Sequence, residues 1–157
     1  MRYWLMKSEP DVYSIDHLES DGRSGWEGVR NFQARNMMRD LMKTGDRVLF
    51  YHSSAKPPGV AGLAKVCAPA HPDPTQFDRN SEYYDAKATR DGPRWMMVNV
   101  EFVEKFPQVV SLHTLRETPG LEHMLVLRRG QRLSIQPVTR DEYRIVVKLG
   151  RKPLGKK

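Results

Sequence analysis

Cysteine is almost absent from this sequence, since Cys67 is the only one in 157 residues. A single cysteine excludes a disulfide within the chain and is typical of proteins from the reducing cytoplasm, which is the location we predict. Long apolar runs are also missing, and the first residues contain too short an apolar stretch for a signal peptide. The sequence therefore predicts a protein that has no membrane partner.

The motifs of several large enzyme classes are missing as well. No GxGxxG, Walker A or GxSxG pattern occurs, which argues against the common dinucleotide, phosphate-loop and serine-hydrolase sites. Cys67 and His71 lie four residues apart, but two ligands do not form a zinc site, and the other histidines are scattered. We therefore predict no metal and no cofactor, and we interpret Cys67 as a buried structural thiol.

Positive charge, by contrast, is in excess, because 26 Lys and Arg against 19 Asp and Glu give a net charge of +7. Four of these cations lie in residues 151–157, which we interpret as a basic tail that follows a single domain of residues 1–150. A basic protein is attracted to nucleic acid even without a specific site. The charge therefore supports a nucleic-acid partner only weakly.

The most informative stretch is residues 25–35, Gly-Trp-Glu-Gly-Val-Arg-Asn-Phe-Gln-Ala-Arg. Trp26 lies in a predicted loop, where a large ring either packs inward as a core anchor or forms one wall of a pocket for another flat group. Asn31 precedes a helical pattern and is suited to cap the N–H groups of its first turn. With Arg30 and Arg35 at the same helix start, an aromatic face, amide donors and positive charge meet, which suits a nucleotide. Spacing alone leaves the core anchor and the simple cap as equal alternatives.

Hydrophobic periodicity and capping residues predict the regular elements. Strands are predicted over residues 2–7, 47–52, 60–68, 95–106 and 132–136, with the second and third paired as a hairpin and Pro107 ending the fourth. Helices are predicted over residues 15–19, 31–43, 112–117 and 143–149, and residues 21–25 are predicted to be a loop. Ser14 and Ser111 are the predicted N-caps of the first and third helices, a capping box is predicted over residues 139–142 before the fourth, and Gly150 is its predicted C-terminal cap. The second helix carries an apolar stripe, with Gly45 as its C′ residue, formed by Ala34, Met37, Met38, Leu41 and Met42.

Residues 69–94 are rich in proline and show no regular pattern, which in a small domain indicates either a functional or a disordered segment. The pair Tyr83 and Tyr84 favours at least partial packing of this segment. The mixture of strands, helices and hairpin connections indicates an α+β fold. About five to six strands with apolar residues on both faces predict a small closed or nearly closed β-barrel with short helices outside it.

A catalytic site is also conceivable where the first predicted strand ends. Lys7, Ser8 and Glu9 are adjacent, and a desolvated lysine beside a carboxylate can act as a base or nucleophile. Successive strand residues point to opposite faces, however, so the three side chains can meet one ligand only if the strand ends there, as Pro10 allows. His52 and Ser53 end another predicted strand and are possible assistants.

Several segments, in order and spacing, together resemble the EVE domain family over nearly the whole chain. They are Trp4 with Lys-Ser-Glu-Pro at 7–10, Trp-Glu-Gly-Val-Arg-Asn-Phe-Gln-Ala-Arg at 26–35, Gly-Asp-Arg-Val-Leu-Phe-Tyr-His-Ser at 45–53, Gly-Val-Ala-Gly at 59–62 and Arg-Leu-Ser at 132–134. The resemblance implies a PUA-like fold related to the YTH and ASCH domains. It also implies a pocket that takes a modified nucleobase from DNA or RNA.

Carried onto this sequence, the resemblance implies that Trp26 is the stacking wall, that Asn31 with nearby backbone reads the base edge, and that the stretch 80–84 supplies a second wall. The full set of expected ligand contacts is Lys7, Ser8, Trp26, Val29, Asn31, Tyr51, His52 and Ser53. The expected contacts with the nucleic-acid backbone are Arg30, Arg35, Arg128 and Arg132.

We therefore expect a non-catalytic module that binds a methylated or hydroxymethylated cytosine, or a methyladenine, in DNA or RNA. The alternative is an ASCH-like amidohydrolase that acts on a modified nucleoside through Lys7 and Glu9, assisted by Ser8 or His52. The sequence leaves open the modification, the choice between DNA and RNA, and the oligomeric state.

Overall fold

The computed structural model describes residues 1–152, which form a mixed sheet flanked by helices on both faces. The strands are β1 (Tyr3–Ser8), β2 (Arg23–Gly25), β3 (Arg47–His52), β4 (Gly59–Pro72), β5 (Met96–Ser111) and β6 (Ile135–Val138). The helices are α1 (Ile15–Asp21), α2 (Phe32–Asp40), α3 (Leu112–Glu117) and α4 (Arg140–Gly150). Short 3₁₀ turns occur at Pro74–Phe77 and Leu125–Leu127.

The six described strands form one sheet in the order β2-β5-β4-β3-β1-β6. β1 and β3 are parallel, whereas every other neighbouring pair is antiparallel, including the predicted β3–β4 hairpin. The α+β class is confirmed. The expected closure into a barrel is wrong, because the edge strands β2 and β6 are only three and four residues long and do not pair with each other.

Both faces of the sheet are covered, as the apolar character of both strand faces predicted. Trp4, Met6 and Phe50 point into a first core beneath α1 and α2. Leu5 and Leu49, their neighbours in sequence, point into a second core beneath α3 and α4. Strand alternation therefore assigns successive residues of one strand to different cores.

Helix α2 is shorter than predicted, ending at Asp40 rather than residue 43. The chain turns so that Met42 enters the first core, and the Met42 N–H donates to the carbonyl of Met37 at 3.0 Å. Leu41 is 37% exposed and leaves the predicted apolar stripe. Gly45 is not the C′ residue, because its positive φ of 96° serves the later turn into β3.

Strand β5 continues through Pro107 to Ser111, so the predicted end at this proline is wrong. The register with β4 pairs Gly62 with Lys105 and Val60 with Val110, which places residues 106–109 opposite a single residue of β4. Such a bulge leaves Pro107 outside the regular ladder, where its missing N–H costs no hydrogen bond.

The remaining differences are at element ends. Residues 23–25, predicted as loop, pair with β5 as a short edge strand, and the last strand starts at Ile135 rather than residue 132. Helix α4 begins three residues early behind the predicted Thr139–Glu142 capping box and includes Gly150. Arg151, placed in the predicted tail, caps α4, whereas residues 153–157 of that tail lie outside the described part.

Candidate functional site

A cleft of about 660 Å³ opens beside the C-terminal end of β1. Its walls come from the β1–α1 connection, from the loop between β2 and α2, and from the long segment between β4 and β5. The lining residues are Lys7, Ser8, Glu9, Val12, Tyr13, Ser24, Gly25, Trp26, Glu27, Gly28, Val29, Arg30, Glu82, Tyr83 and Ser134. Four of the predicted ligand contacts, Lys7, Ser8, Trp26 and Val29, therefore come together here, although they are far apart in sequence.

Trp26 combines the two alternatives that the sequence left open. Its side chain packs in the first core, is only 8% exposed and meets the Phe50 ring edge-on with centroids 5.4 Å apart. It also borders the cleft, and its backbone N–H donates to the carbonyl of Val98 at 2.8 Å. The ring is thus a core anchor that shows part of its surface to the cleft.

The Tyr83 ring lies against Gly28, in the loop between β2 and α2, and Tyr83 lines the cleft. It belongs to the stretch 80–84, which the family resemblance implies as a second wall. Gly28 has φ +82°, and a Cβ atom added there would lie 2.7 Å from the Tyr83 ring. Only glycine satisfies both the positive φ and this close approach. Tyr84, next in sequence, is exposed and does not line the cleft.

Arg30 holds the backbone of Tyr83 in place through hydrogen bonds. Its Nε and Nη2 atoms donate to the carbonyl of Tyr83 at 3.2 and 2.7 Å, and Nη2 also reaches the Thr75 hydroxyl at 3.0 Å. Its Nη1 atom donates to Asp73 and to the carbonyl of Val29. All three guanidinium nitrogens donate within the protein, so Arg30 holds the cleft wall in this structure, and its expected role as a phosphate contact stays a prediction.

Asp73 is the buried centre of this arrangement, and no pattern in the sequence pointed to it. Its side chain is 0% exposed and accepts hydrogen bonds from the Gly28 N–H at 2.7 Å, from Arg30, and from the N–H and hydroxyl of Thr75. Burial raises the pKa of the Asp73 carboxyl, but these hydrogen bonds outweigh it, so the pKa lies below its usual value. The charged carboxylate therefore holds the Gly28 loop and the Tyr83 segment together.

The segment between β4 and β5 is ordered by two further side chains. Gln76 is fully buried and joins the residue after β4 to the residue before β5. Its amide nitrogen donates to the carbonyls of Asp73 and Trp95, and its amide oxygen accepts from the Trp95 N–H. Asp85 accepts the Trp95 indole N–H at 2.7 Å. These contacts explain how a proline-rich segment presents Tyr83 in a fixed position.

The lining of the cleft carries more negative than positive charge. Glu9, Glu27 and Glu82 supply three carboxylates, against the cations Lys7 and Arg30. Burial, with the nearby Asp73 charge, raises the pKa of Glu27 above its usual value, although Arg30 opposes the shift. The cleft is therefore rich in hydrogen-bond acceptors.

Ser8 and Lys7 diverge at the end of β1. The Ser8 hydroxyl donates to the carbonyl of Tyr13 at 2.6 Å, which closes the β1–α1 connection. The Lys7 ammonium lies 5.9 Å from the centroid of the Tyr51 ring, which belongs to the second core, and burial lowers the pKa of Lys7. Lys7, Ser8 and Glu9 all line the cleft, but the Ser8 hydroxyl and the Lys7 ammonium have separate partners within the protein.

Besides Asn31, three predicted ligand contacts lie outside the cleft lining. Tyr51 packs in the second core, and Ser53 donates its backbone N–H to the carbonyl of Ser8. His52 is buried against Phe50, and its Nε2 atom accepts the Ile15 N–H at 3.1 Å, so it supports the start of α1. These three residues support the elements around the cleft in this structure, and their expected role in closing the pocket stays a prediction.

Asn31 is the N-cap of α2, with its side-chain oxygen accepting from the Ala34 N–H at 2.9 Å. It is exposed and does not line the cleft, so its expected contact with a base edge stays a prediction. Arg35 lies against the neighbouring Phe32 ring and donates to the carbonyl of Arg94. Arg128 and Arg132 are exposed on the connection that leads to Ser134 in the cleft wall.

Cys67 is only half-buried rather than fully buried, and burial raises the pKa of its thiol. Within residues 1–152, no group of three His, Cys, Asp or Glu side chains is placed to hold a metal ion. No helix in this part of the chain has the length and hydropathy required to cross a bilayer.

Protonation of His52 is expected to destabilise the protein, because a charged ring can no longer accept the Ile15 N–H. Burial and the nearby Lys105 lower the pKa of His52, and Asp16 opposes them. Its contribution to the free energy of unfolding is therefore full above the unfolded pKa of about 6.5 and is lost as pH falls through the folded pKa, by at most about 1.4 kcal/mol per pH unit.

Thermal unfolding of the wild type and of His52→Gln between pH 8 and pH 5 measures this effect. We expect the melting temperature of the wild type to fall more steeply over this range than that of the variant. Parallel curves for the two proteins would show that His52 does not titrate on unfolding.

Comparison with known proteins places this geometry in a family. The model of the EVE domain matches residues 2–149. This chain belongs to the EVE domain family. Thymocyte nuclear protein 1 of Homo sapiens is 41% identical over 168 residues, covering 96% of this chain and 74% of the relative.

Solved structures of EVE-like proteins superpose closely on this fold. A hypothetical protein from Leishmania major shares 47% identity with a TM-score of 0.91, covering 96% of this chain and 94% of that one. Human THYN1, determined in complex with DNA that contains 5-methylcytosine, shares 41% identity with a TM-score of 0.87, covering 98% and 99% of the two chains. An ASCH protein from Zymomonas mobilis has 12% identity and a TM-score of 0.53, a likeness of fold alone. The predicted family and its PUA-like fold are confirmed.

Proposed function

We propose that this EVE domain is a non-catalytic reader that takes one modified nucleobase of DNA, with 5-methylcytosine as the leading ligand, into the cleft between Trp26 and Tyr83. The proposal is supported by a cleft whose lining includes Trp26 and Tyr83, in a chain 41% identical to human THYN1, which was determined in complex with DNA that contains 5-methylcytosine. Hydroxymethylcytosine, methyladenine and RNA ligands remain within the proposal as arms of its test.

The cleft has the physical properties that an extruded base requires. A base can be read on all its edges only after it leaves the stack, which costs a few kcal/mol. Stacking on an aromatic side chain returns about 1–3 kcal/mol. Tyr83 is half-buried, and Arg30 holds its backbone, so this ring pays little conformational entropy when a base packs against it.

The polar lining favours a base that donates hydrogen bonds. Cytosine presents an exocyclic N4 amino group, and carboxylates are its usual protein acceptors. Glu27 and Glu82 supply carboxylates beside Tyr83, whose pKa is raised by burial and by both of these glutamates. We assign the recognition of the N4 amino group to this pair.

Positive charge for the flanking phosphates is available on the connection that leads to Ser134 in the cleft wall. Arg128 and Arg132 are exposed, and neither has an ion pair within the part of the chain that the structure describes. Ser134, two residues after Arg132, lines the cleft. These arginines, together with Arg35, therefore retain the proposed role in holding the backbone on either side of an extruded base.

The amidohydrolase alternative has weaker support. The Lys7 ammonium lies near Tyr51, and the ASCH neighbour shares the fold at only 12% identity. Incubation with a panel of modified nucleosides, followed by mass spectrometry, tests this alternative through the appearance of a hydrolysis product.

The cytoplasmic location stays a prediction from the single cysteine. The name of the human relative, thymocyte nuclear protein 1, refers instead to the nucleus.

Replacement of Tyr83 by alanine is expected to weaken binding of a 5-methylcytosine oligonucleotide by roughly 5- to 150-fold, because about 1–3 kcal/mol of stacking is lost. Tyr83→Phe keeps the ring and is expected to bind within about threefold of the wild type. Fluorescence anisotropy at one stated salt concentration, with matched oligonucleotides containing cytosine or 5-methylcytosine, measures both dissociation constants.

The ratio of the affinities for the modified and the unmodified oligonucleotide decides whether Tyr83 belongs to the site. We expect the wild type and Tyr83→Phe to bind the modified oligonucleotide more tightly than its unmodified match, and Tyr83→Ala to lose that difference. An alanine variant that retains the full preference would remove Tyr83 from the site. A wild type with no preference for any modified DNA or RNA base would remove the proposed function.

A further inference from the structure

A second concave surface of about 690 Å³ lies along helix α4, and we call it the α4 groove. It borders the second core, whereas Trp26 and Val29 of the cleft pack in the first. The lining residues of the α4 groove are Met1, Tyr3, Arg47, Leu63, Val103, Tyr143, Arg144, Val147, Lys148 and Arg151.

The charged residues that line the α4 groove are all cations. Arg144 and Lys148 are four residues apart on α4, and Arg47 approaches from β3. Arg151 is paired with Glu104 at 2.9 Å, so its charge is offset. The other three cations make no ion pair with any residue that the structure describes.

The positive surface continues beyond the groove. An adjoining hollow shares Met1 and Tyr3 with it and adds Arg2 and Arg140, neither of which is ion-paired within the described residues. Arg140 precedes Arg144 by one helical turn, so three cations follow each other along α4. An extended row of uncompensated cations matches a ligand with regularly spaced negative charges.

The floor of the groove is aromatic and apolar rather than purely polar. The rings of Tyr3 and Tyr143 lie 4.9 Å apart with an interplanar angle of 42°. Val103 is exposed beside them. Flat rings and apolar surface between cations are suited to the sugars and bases of a nucleic acid strand as well as its phosphates.

We propose that the α4 groove is a second nucleic-acid contact surface, which binds the phosphodiester backbone without reading its sequence or modification. The lining of the cleft is acidic on balance, so it contributes little to the long-range attraction of a polyanion. The α4 groove supplies that attraction from residues that the cleft does not use. This surface is independent of the modified-base proposal, since it requires only that the protein bind nucleic acid.

Charge reversal tests the groove. The double variant Arg144→Glu and Lys148→Glu is expected to bind a DNA duplex at least roughly tenfold more weakly at about 150 mM salt, because phosphate contacts are lost. The slope of log affinity against log salt is expected to decrease in magnitude by about 2. Binding to unmodified and modified duplexes should fall by the same factor.

A matched control carries the same change of net charge elsewhere. Arg116→Glu with Lys56→Glu replaces two exposed cations that line neither the groove nor the cleft. We expect this control to bind within about threefold of the wild type, as a general charge effect alone predicts. Equal weakening in the groove variant and the control would overturn the proposal, as would an unchanged affinity in the groove variant.

Folding of the variants is checked by thermal unfolding. Lys148 lies in the last turn of α4, where a glutamate opposes the helix dipole. If the glutamate variant unfolds, Arg144→Gln with Lys148→Gln is measured instead, and a smaller but parallel loss of affinity and salt slope is expected. Unchanged binding by the folded glutamine variant would count against the groove. Because unmodified DNA reports on the groove, this result is separate from any failure of modified-base recognition.

Discussion

Replacement of Asp73 by alanine is expected to lower the free energy of unfolding by about 3–5 kcal/mol, because the change removes a fully buried carboxylate and leaves the half-buried Arg30 guanidinium and the Gly28 N–H without their acceptor. The carboxylate is fully buried and accepts from Gly28, Arg30 and Thr75. Removal of these contacts releases the cleft loop and the Tyr83 segment together. Binding of modified DNA should therefore be lost even in the fraction of protein that remains folded.

Urea unfolding measures the stability effect, and Asp78→Ala is a suitable control. Asp78 is an exposed residue of the same segment and accepts one hydrogen bond, from the Asn80 N–H. We expect this control to cost less than about 1 kcal/mol. A loss of similar size in the two variants would mean that the Asp73 network does not hold the site.

The pH dependence of the Asp73 contribution has a definite sign. Its folded pKa lies below the ordinary value, since hydrogen bonds outweigh burial. The stability that it provides is therefore fully present above the unfolded pKa of about 3.9 and is lost as pH falls through the folded pKa. The difference in unfolding free energy between the wild type and Asp73→Asn should shrink over that acidic range.

Replacement of Trp26 by alanine is expected to have the second large effect, a loss of about 3–5 kcal/mol in the free energy of unfolding, because a buried ring is removed from the first core. The ring is 8% exposed and packs against Phe50. The expectation of a purely exposed platform, which would leave stability unchanged, is not compatible with this burial. Binding of a modified base should also be lost, since Trp26 borders the cleft.

Leu18→Ala separates the two consequences. Leu18 is fully buried in the same core but does not line the cleft. We expect it to cost about 2–5 kcal/mol while the folded protein keeps its preference for modified DNA. Calorimetry and anisotropy on the same samples compare both variants. If Trp26→Ala binds modified DNA as well as Leu18→Ala does, the indole is a core residue only.

Local rules predicted the elements that depend on local chemistry. Ser14, Asn31, Ser111 and Thr139 cap helices as their positions indicated, and β3 and α3 have the predicted bounds. The errors at Pro107 and at the edges of the sheet have a non-local cause. A bulge that accommodates a proline, or a three-residue strand such as β2, depends on the partner strand rather than on its own sequence.

The residues of the site also divide into those that local sequence patterns indicate and those whose placement depends on distant residues. Trp26, Val29 and Ser8, predicted from their local pattern and from the family resemblance, line the cleft together with Tyr83 of the tyrosine stretch, and their contact with a ligand stays a prediction. Arg30 donates to Asp73, which the sequence did not indicate, because a guanidinium near a helix start can turn inward or outward, and only the position of Asp73, forty-three residues later in the chain, decides which. Within one strand, alternation places Tyr51 in the opposite core, a signal that was present in the sequence.

Entry of a modified base into the cleft between Trp26 and Tyr83 is the proposal on which the other binding expectations depend. Titration of isotope-labelled protein with an oligonucleotide containing one 5-methylcytosine tests it directly by nuclear magnetic resonance. We expect saturable chemical-shift changes at the Trp26 indole N–H and the Gly28 amide. The unmodified oligonucleotide should not reproduce these changes at the same concentration. Identical shifts with both oligonucleotides, or shifts confined to the α4 groove, would contradict it.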